Sequence, residues 1–314
     1  MAKKIEIVPG LVHLDQLVPE NLLAPGYYPM HIKSKKAEKE LVILGTRLVI
    51  DGKSYLLSKS SMVGENPTVD VSGKAIELQV LSRDVSKDLV LLMLPANENW
   101  GIAMEQLKID QIHHEDIGSF LVSPTPDKLK VSVVSSVIFN QPRKFSAGFM
   151  GMSVIFKDGK TQISRLAPGS PAAASTLKVG DEVLSVNGIS IDGPEQYSLE
   201  LVKSSPGDTI NFEGQGEAGR YNTSIILSAW PVRDHSADQF DGGRSVRCDG
   251  FSRVFAHDSI ITAEQCGGSV FDLSDKFRGI NIARFSRTVT LVMPAEEIYA
   301  FLSQALNKKI QVVQ

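Results

Sequence analysis

The apolar residues of this chain occur in short runs separated by turn-forming residues, and this spacing limits the possible folds most. Each run is a few residues long, and segments such as Asp-Gly, Gly-Glu-Asn and Asp-Val-Ser-Lys stand between them. In the first half the runs lie at 41–44, 48–50, 55–57, 75–81, 89–94, 121–122 and 131–138. They predict the strands of a barrel or sandwich because they are too short for helices.

The segment 147–229 has a different texture, with regularly spaced glycines and prolines. One helix is predicted at 194–203, since Pro194 suits a helix start and Tyr197, Leu201 and Val202 fall at helical spacing. A polar, glycine-rich stretch at 231–247 follows and predicts a joint.

Strand-like runs resume after this joint, and the chain ends in an amphipathic pattern that predicts a helix at 294–306. The runs lie at 252–255, 269–273, 279–283 and 289–292. A β-rich unit therefore occurs twice, with a different unit between. The length of 314 residues corresponds to about two domains.

Charge and composition exclude several classes of function. A net charge of −3 and an aromatic content of 7% argue against a nucleic-acid-binding protein. Cys248 and Cys266 are too few for a disulfide scaffold or a four-cysteine zinc site, and they are compatible with one disulfide or with two free thiols. No apolar run is long enough for a membrane span. We also expect no metal and no cofactor. The start of the chain is not a secretory signal, so we expect a cytoplasmic protein or one whose signal was removed.

Three patterns in the middle segment occur in a fixed order. They are Phe-Met-Gly-Met at 149–152, Ala-Pro-Gly-Ser-Pro-Ala-Ala at 167–173, and Leu-Lys-Val-Gly-Asp-Glu-Val-Leu-Ser-Val-Asn-Gly at 177–188. Together they closely resemble a PDZ domain of the bacterial type over about 85 residues. The resemblance implies that 149–152 is a carboxylate-binding loop and that the partners are peptides or protein C-termini.

A peptide would then add as a strand beside 153–156, with the helix at 194–203 as the other wall of the groove. The backbone N–H groups of a glycine-containing loop suit a terminal carboxylate. By resemblance the peptide-binding residues are Phe149, Met150, Gly151, Met152, Val154 and Leu201. Core packing is the alternative for each, and we favour it for Met150 and Val183.

The flanking segments show a second, weaker resemblance. Residues 55–63 read Tyr-Leu-Leu-Ser-Lys-Ser-Ser-Met-Val and resemble the catalytic-histidine stretch of HtrA-type, trypsin-like proteases, Tyr-Val-Leu-Thr-Asn-Asn-His-Val-Val. The histidine position falls on Ser61. Residues 84–92 resemble the segment of that family that carries the triad aspartate, which is retained in this chain as Asp88.

The nucleophile segment of that family follows only after the PDZ-like unit. Residues 257–270 resemble Thr-Asp-Ala-Ala-Ile-Asn-Pro-Gly-Asn-Ser-Gly-Gly-Pro, and the spacing from Asp258 to the nucleophile position is kept. The nucleophile falls on Cys266, and Glu264 replaces the oxyanion-hole glycine. HtrA proteins normally carry PDZ domains after the whole protease domain, so an inserted PDZ domain departs from that order.

The predicted fold is mainly β: a chymotrypsin-like double β-barrel interrupted by a small α+β PDZ domain, with a C-terminal helix. A loop insertion of this kind is tolerated where the ends of the insert lie close together. The expected segments are an irregular N-terminal extension at 1–34, the first trypsin-like part at 35–143, the PDZ domain at 144–230, a linker at 231–249 and the second trypsin-like part at 250–314.

The matched triad positions do not predict hydrolysis. Ser61 cannot serve as a general base near neutral pH. A carboxylate at Glu264 would oppose the negative charge of an oxyanion, and a glycine is lost where the backbone needs one. Cys266 would suit catalysis, but without a base only a few per cent of an ordinary thiol is ionised.

Three hypotheses remain open from the sequence. The first is a catalytically inactive HtrA-like pseudoprotease that binds peptides in protein quality control. The second is an active endopeptidase with Cys266 as the nucleophile and an unidentified base. The third is a structural or assembly subunit that associates with itself or with an active HtrA-type protease. The resemblance implies the cell envelope or periplasm, and a cytoplasmic location stays open.

Overall fold

Two compact units make up the chain, and one is inserted into the other. The computed structural model describes residues 22–36, 39–95, 101–104, 108–231, 239–308 and 310. The first unit combines 1–141 with 236–314, and the second unit spans 142–235. The second unit therefore interrupts the first, as the order of the sequence patterns predicts.

The strands and helices fall into three groups along the chain. Before the insert the chain forms β1 (Met30–Lys36), β2 (Lys39–Ile50), β3 (Lys53–Lys59), β4 (Glu65–Val71), β5 (Lys74–Glu77), β6 (Gln79–Asp84), β7 (Leu89–Met93), β8 (Ile102–Ala103), β9 (Phe120–Pro124) and β10 (Leu129–Gln141). The inserted unit forms β11 (Met152–Lys157), β12 (Lys160–Leu166), β13 (Glu182–Val186), β14 (Ile189–Ser190), α1 (Pro194–Leu201), β15 (Thr209–Gly216) and β16 (Gly219–Ile226). After the insert the chain forms β17 (Phe251–His257), β18 (Ser269–Asp272), β19 (Phe277–Ser286), β20 (Val289–Pro294) and α2 (Ala295–Ala305).

The first sheet curls on itself because its two edge strands are neighbours in the chain. Its strand order is β5-β4-β1-β2-β3-β7-β6, and β8 pairs with β2 in parallel. A single residue, Leu78, joins the edge strands β5 and β6, so the two edges must lie close together. The enclosed core contains Ile32, Ile43, Leu56 and Val90.

Strand β1 corrects the prediction of an irregular extension at 1–34. Residues 30–36 pair with both β2 and β4 inside the first sheet. Ile32 and Ser34 are buried, whereas the lysines between and after them are exposed. Only Met30 and Ile32 are apolar in β1, and three lysines follow them, so the sequence shows no recognisable strand pattern. Pairing on both sides determines the strand instead.

The second barrel is closed by hydrogen bonding and is split by the insert. Its strands follow the ring β10-β17-β20-β19-β18-β9. Strands β10 and β17 flank the insert in sequence and pair in antiparallel fashion, from Val134 opposite His257 to Gln141 opposite Phe251. Helix α2 buries Ile298, Phe301 and Leu302. The predicted mainly β double barrel with a C-terminal helix is confirmed.

The inserted unit is a small α+β domain whose sheet has β11 at one edge and β16 at the other. The strand order is β11-β12-β13-β15-β16, with β14 on β13. Helix α1 begins with Pro194 after an extended Gly193 and buries Tyr197 in the core of this unit. Strand β11 pairs with β12 on one side only, and this position matters for the site described next.

Candidate functional site

Ser61 and Asp88, two positions matched to a catalytic triad, lie in direct contact. Ser61 belongs to a short 3₁₀ turn after β3, and Asp88 precedes β7 with a positive φ of 59°. One carboxylate oxygen of Asp88, Oδ1, accepts the Ser61 backbone N–H at 2.6 Å, and Oδ2 accepts the Ser61 hydroxyl at 2.9 Å. The aspartate therefore orients a serine at the position that the resemblance assigned to a histidine.

Lys59, which the sequence analysis did not select, completes this group. Its side chain is 1% exposed, and its Nζ donates to Asp88 Oδ2 at 2.5 Å and to the Arg247 carbonyl at 2.8 Å. The only sequence signal was a lysine at the end of an apolar run, and strand ends are commonly charged. A buried cation requires such an anionic partner.

The carboxylate of Asp88 is thus fully engaged by groups of this chain. The guanidinium Nε of Arg247 lies 3.8 Å from Oδ2, in addition to Lys59 and Ser61. Arg83 donates to the carbonyl and hydroxyl of Ser60 and fixes the same turn. These contacts tie the turn after β3 to the segments that carry Arg83 and Arg247.

The Cys266 thiol lies inside the core instead of facing a cleft. The residue is 0% exposed and packs with Leu56, Val63 and Ile261 of the first core. Its sulfur lies 3.8 Å from the Ser245 hydroxyl and 3.8 Å from the Thr262 carbonyl. Burial raises the pKa of this thiol, and the positive charge of Lys59 lowers it by a smaller amount.

One of the backbone donors that would form an oxyanion hole, the N–H of Cys266, is paired within its own turn. The N–H of Cys266 donates to the Ala263 carbonyl at 3.4 Å, within a 3₁₀ turn. The side chains of Thr262 and Gln265 cap this turn reciprocally. Glu264 lies on it and does not contact Ser61 or Asp88. A donor already paired in this way does not hold a developing oxyanion.

No histidine within the described ranges forms a hydrogen bond with Cys266. His257 is fully buried, its Nε2 lies 2.7 Å from Asn281 Oδ1, and its Nδ1 accepts the Ser259 N–H. With Nδ1 accepting, Nε2 carries the proton and donates to the amide oxygen. Burial lowers the pKa of His257 to about 4, so this imidazole stays neutral and structural. His13 and His235 lie outside the described residues.

Both cysteines are free thiols, which answers the question that their count left open. Cys248 is buried like Cys266, and burial raises its pKa to about 12. Such thiols are poor nucleophiles at neutral pH because so little thiolate is present.

A second candidate site lies entirely within the inserted unit. A cavity of about 410 Å³ opens between the loop before β11 and helix α1. Five of the predicted groove residues line it: Phe149, Met150, Gly151, Met152 and Leu201. The sixth, Val154, is not in the lining and packs partly buried against the core.

The core and the cavity share some of these residues. Met150 and Met152 are 2% and 9% exposed and belong to the core of the unit as well as to the cavity wall. Val183 is purely a core residue at 2% exposure. The Tyr197 hydroxyl donates to the Met152 carbonyl at 3.4 Å.

The loop at 149–152 contains a glycine in the left-handed region of backbone conformation. Gly151 has a φ of 76°, and a Cβ there would meet the Ser170 side chain at 2.1 Å. The carbonyls of Met150 and Gly151 accept N–H groups from Ala172 and Ala167. The N–H groups of Met150 and Gly151 have no partner among the described residues, so both can donate to an anion.

The outer wall of the cavity contains a tryptophan that the sequence analysis missed. The rings of Phe149 and Trp230 are 5.0 Å apart between centroids and tilted by 52°. Phe149 is held by reciprocal backbone hydrogen bonds with Ser228, just before Trp230. Trp230 follows the last strand of this unit, where no periodic pattern marks a functional position.

Comparison with protein-family models gives a match to the PDZ domain over residues 137–213. The chain contains a PDZ domain. The match covers the loop at 149–152, the edge strand β11 and helix α1, which are the parts that form the cavity. A comparison with curated proteins gives no match.

Solved structures of proteases are similar to the chain at low identity. The active form of the Rv3671c protease from M. tuberculosis is 14% identical, with 100% of this chain and 94% of that chain covered and a TM-score of 0.43. The serine endoprotease from Yersinia pestis is 13% identical, with 66% and 95% covered and a TM-score of 0.27. The HtrA-type protease AlgW with tripeptide is 11% identical, with 67% and 96% covered and a TM-score of 0.28. The double barrel itself is established by the strand pairing described above.

The described part of the chain contains neither a membrane-spanning helix nor a cluster of metal ligands. None of its helices combines the length and apolar character that crossing a membrane requires. Its His, Cys, Asp and Glu side chains form no group of three or more that could hold a metal ion.

The first prediction concerns the buried pair of Lys59 and Asp88. Removing one member leaves an unpaired buried charge, so Lys59→Met and Asp88→Asn should each lower the free energy of unfolding by about 3–5 kcal/mol. The double variant should lose clearly less free energy of unfolding than the two single variants lose in sum. Urea unfolding followed by circular dichroism measures all three.

Lys276→Met is the matched control for the Lys59 and Asp88 variants. Lys276 lies 2.7 Å from Asp110, but their side chains are 40% and 36% exposed. An exposed pair contributes at most about 1 kcal/mol, so this substitution should have little effect. Equal losses for Lys59→Met and Lys276→Met would contradict the structural role of the buried pair.

The second prediction concerns acid stability. The folded-state pKa of His257 is about 4, below the usual unfolded value. Between these two values the unfolded state binds a proton that the folded state does not bind. Stability should therefore fall as the pH drops from about 6.5 toward 4, by about 2 kcal/mol between pH 7 and pH 5. His257→Gln should flatten this part of the profile, and an unchanged slope in that variant would contradict the assignment.

Proposed function

We propose that this protein is a catalytically inactive, HtrA-like pseudoprotease that binds peptides or protein C-termini through its PDZ domain. The observation that supports binding most directly is the cavity between the loop at 149–152 and α1, beside an unpaired edge strand. The groove supplies two free N–H donors, an apolar pocket and a strand edge. These are the three features that capture of an extended C-terminus uses.

The proposal of inactivity rests on the region around Asp88. Its carboxylate is occupied by Lys59 and Ser61, and Cys266 is a buried thiol with a raised pKa. The backbone N–H of Cys266 is paired within a 3₁₀ turn. A nucleophile, a base and an oxyanion hole are each needed for triad hydrolysis. A serine at the histidine position, a buried thiol and a paired Cys266 N–H at these matched positions support the proposal of inactivity.

We further propose a role in protein quality control in the cell envelope. The resemblance to HtrA-type proteases supports this role and compartment. In this role the chain would present substrates or regulate their degradation, either alone or together with an active protease of that type. The protease-like barrels would then serve as a scaffold that carries the PDZ domain.

The third prediction tests the absence of catalysis. Incubation with unfolded casein should give no cleavage above a blank, and Cys266→Ala should behave in the same way. Because both thiols are buried, a disulfide reagent at pH 8 should titrate none of them quickly in the folded protein and two after unfolding in guanidinium. Cleavage that Cys266→Ala abolishes would establish the competing hypothesis of a cysteine endopeptidase.

The fourth prediction tests the peptide groove. Decapeptides with an apolar last residue and a free carboxylate should bind the full chain, and the same peptides with an amidated C-terminus should bind at least tenfold more weakly. The amide removes the charge that the N–H groups of Met150 and Gly151 would hold. Binding is followed by anisotropy of a dye on the peptide, and by Trp230 emission in a Trp100→Phe background.

Gly151→Ala should abolish this binding, because the new Cβ would meet Ser170 and displace the loop. Gly159→Ala is the matched control, since Gly159 has the same φ of 76° and nothing within 4 Å of an added Cβ. The two substitutions bring similar backbone strain, but only one changes the loop. Equal affinity of free and amidated peptides for the unmodified protein would contradict the proposed groove.

A further inference from the structure

The cavity of the PDZ domain is basic as well as apolar. Its lining contains Arg143, Lys144 and Arg165, and no aspartate or glutamate is among the described residues that form it. Arg143 donates to Ser205 Oγ at 2.7 Å and to nearby carbonyls, so it is held inside the domain. Arg165 is exposed and makes no hydrogen bond or ion pair with any described residue.

The position of Arg165 in the sheet sets what it can reach. It lies on β12 directly opposite Ser153, the second residue of the edge strand β11. Met152 is buried, Ser153 is exposed and Val154 is partly buried, so side chains alternate between the two faces of β11. Ser153 and Arg165 therefore share the face of the sheet opposite to the buried Met152, and both belong to the lining of the cavity.

A bound peptide has only one direction that fits this loop. Its terminal carboxylate would sit at 149–152, where β11 begins, so the peptide must run antiparallel to β11. Its last residue then lies beside Met152 and its penultimate residue beside Ser153. Residues at the same level of neighbouring strands point to the same face, so the penultimate side chain shares a face with Arg165.

The distance between Arg165 and the penultimate side chain of the peptide suits an ion pair. Two strand spacings separate the backbone of the peptide from that of β12, which is about 10 Å. An arginine and a glutamate extending toward each other across Ser153 cover that distance, because the serine between them is small. An acidic penultimate residue would therefore meet the unpaired guanidinium.

We propose that this PDZ domain selects C-termini with an acidic penultimate residue, and that Arg165 is the residue that reads it. This inference rests on the proposed peptide-binding function and adds the chemistry of its ligand. The terminal carboxylate and the last apolar side chain give affinity, and Arg165 discriminates among peptides that satisfy both.

The test uses the full chain and dye-labelled decapeptides that differ only in their penultimate residue and end in Glu-Leu, Gln-Leu or Lys-Leu. Affinity should fall in that order, with about a two- to fivefold step between Glu and Gln, as expected for an exposed ion pair. Arg165→Glu should reverse the order of the Glu and Lys peptides. The differences should shrink in 1 M salt, where charges are screened within about 3 Å.

Arg220→Glu is the charge-matched control. Arg220 is exposed on β16, at the opposite edge of the same sheet, so this variant should keep the original order. Binding of the Gln-Leu peptide by Arg165→Glu serves as the check that its groove is intact, and Arg165→Gln provides a second, uncharged variant.

The outcomes separate the two proposals. Equal affinities for the three peptides, unchanged by Arg165→Glu, would overturn the selectivity and leave peptide binding established. If Arg220→Glu also reverses the order of affinity for the Glu and Lys peptides, the effect comes from the overall charge of the domain. That result would overturn the role of Arg165. Failure of every peptide to bind would overturn the proposed function itself.

Discussion

The buried ion pair between Lys59 and Asp88 determines the character of the protease-like unit. Asp88 accepts hydrogen bonds from Lys59 and from both the backbone and the side chain of Ser61. Charged groups removed from water must be paired, and in this unit the pairing is complete within the chain. The aspartate consequently has a structural task, holding the turn after β3 and the Arg247 carbonyl of a distant segment in one place.

The PDZ domain differs from the region around Asp88, because hydrogen-bond donors and one positive charge at its site are unpaired. The N–H groups of Met150 and Gly151 and the Arg165 guanidinium have no partner among the described residues. Unsatisfied polar groups persist at a surface where water or a ligand can satisfy them. The polar groups around Asp88 are therefore paired within the chain, whereas those of the PDZ cavity are available to water or a ligand.

Much of this organisation could be read from the sequence, and the failures have identifiable causes. Short apolar runs predicted the strands, and the three ordered patterns located the PDZ domain. Strand β1 was missed because lysines surround Ile32, so pairing rather than composition determines it. Lys59 and Trp230 were missed because their importance comes from partners distant in sequence, Asp88 and Phe149, that only the fold brings near.

The pairing of β10 with β17 across the insert has a consequence for how the chain is made. During synthesis β10 leaves the ribosome with only one of its two barrel partners, β9, already made, because β17 is still more than a hundred residues away. Every strand of the PDZ domain, in contrast, is available as soon as β16 appears. The insert can therefore fold first, and the second barrel closes last, through contacts of high sequence separation that form slowly. A chain truncated after the PDZ domain would contain all strands of that domain but would leave the second barrel open, with unpaired and aggregation-prone strand edges.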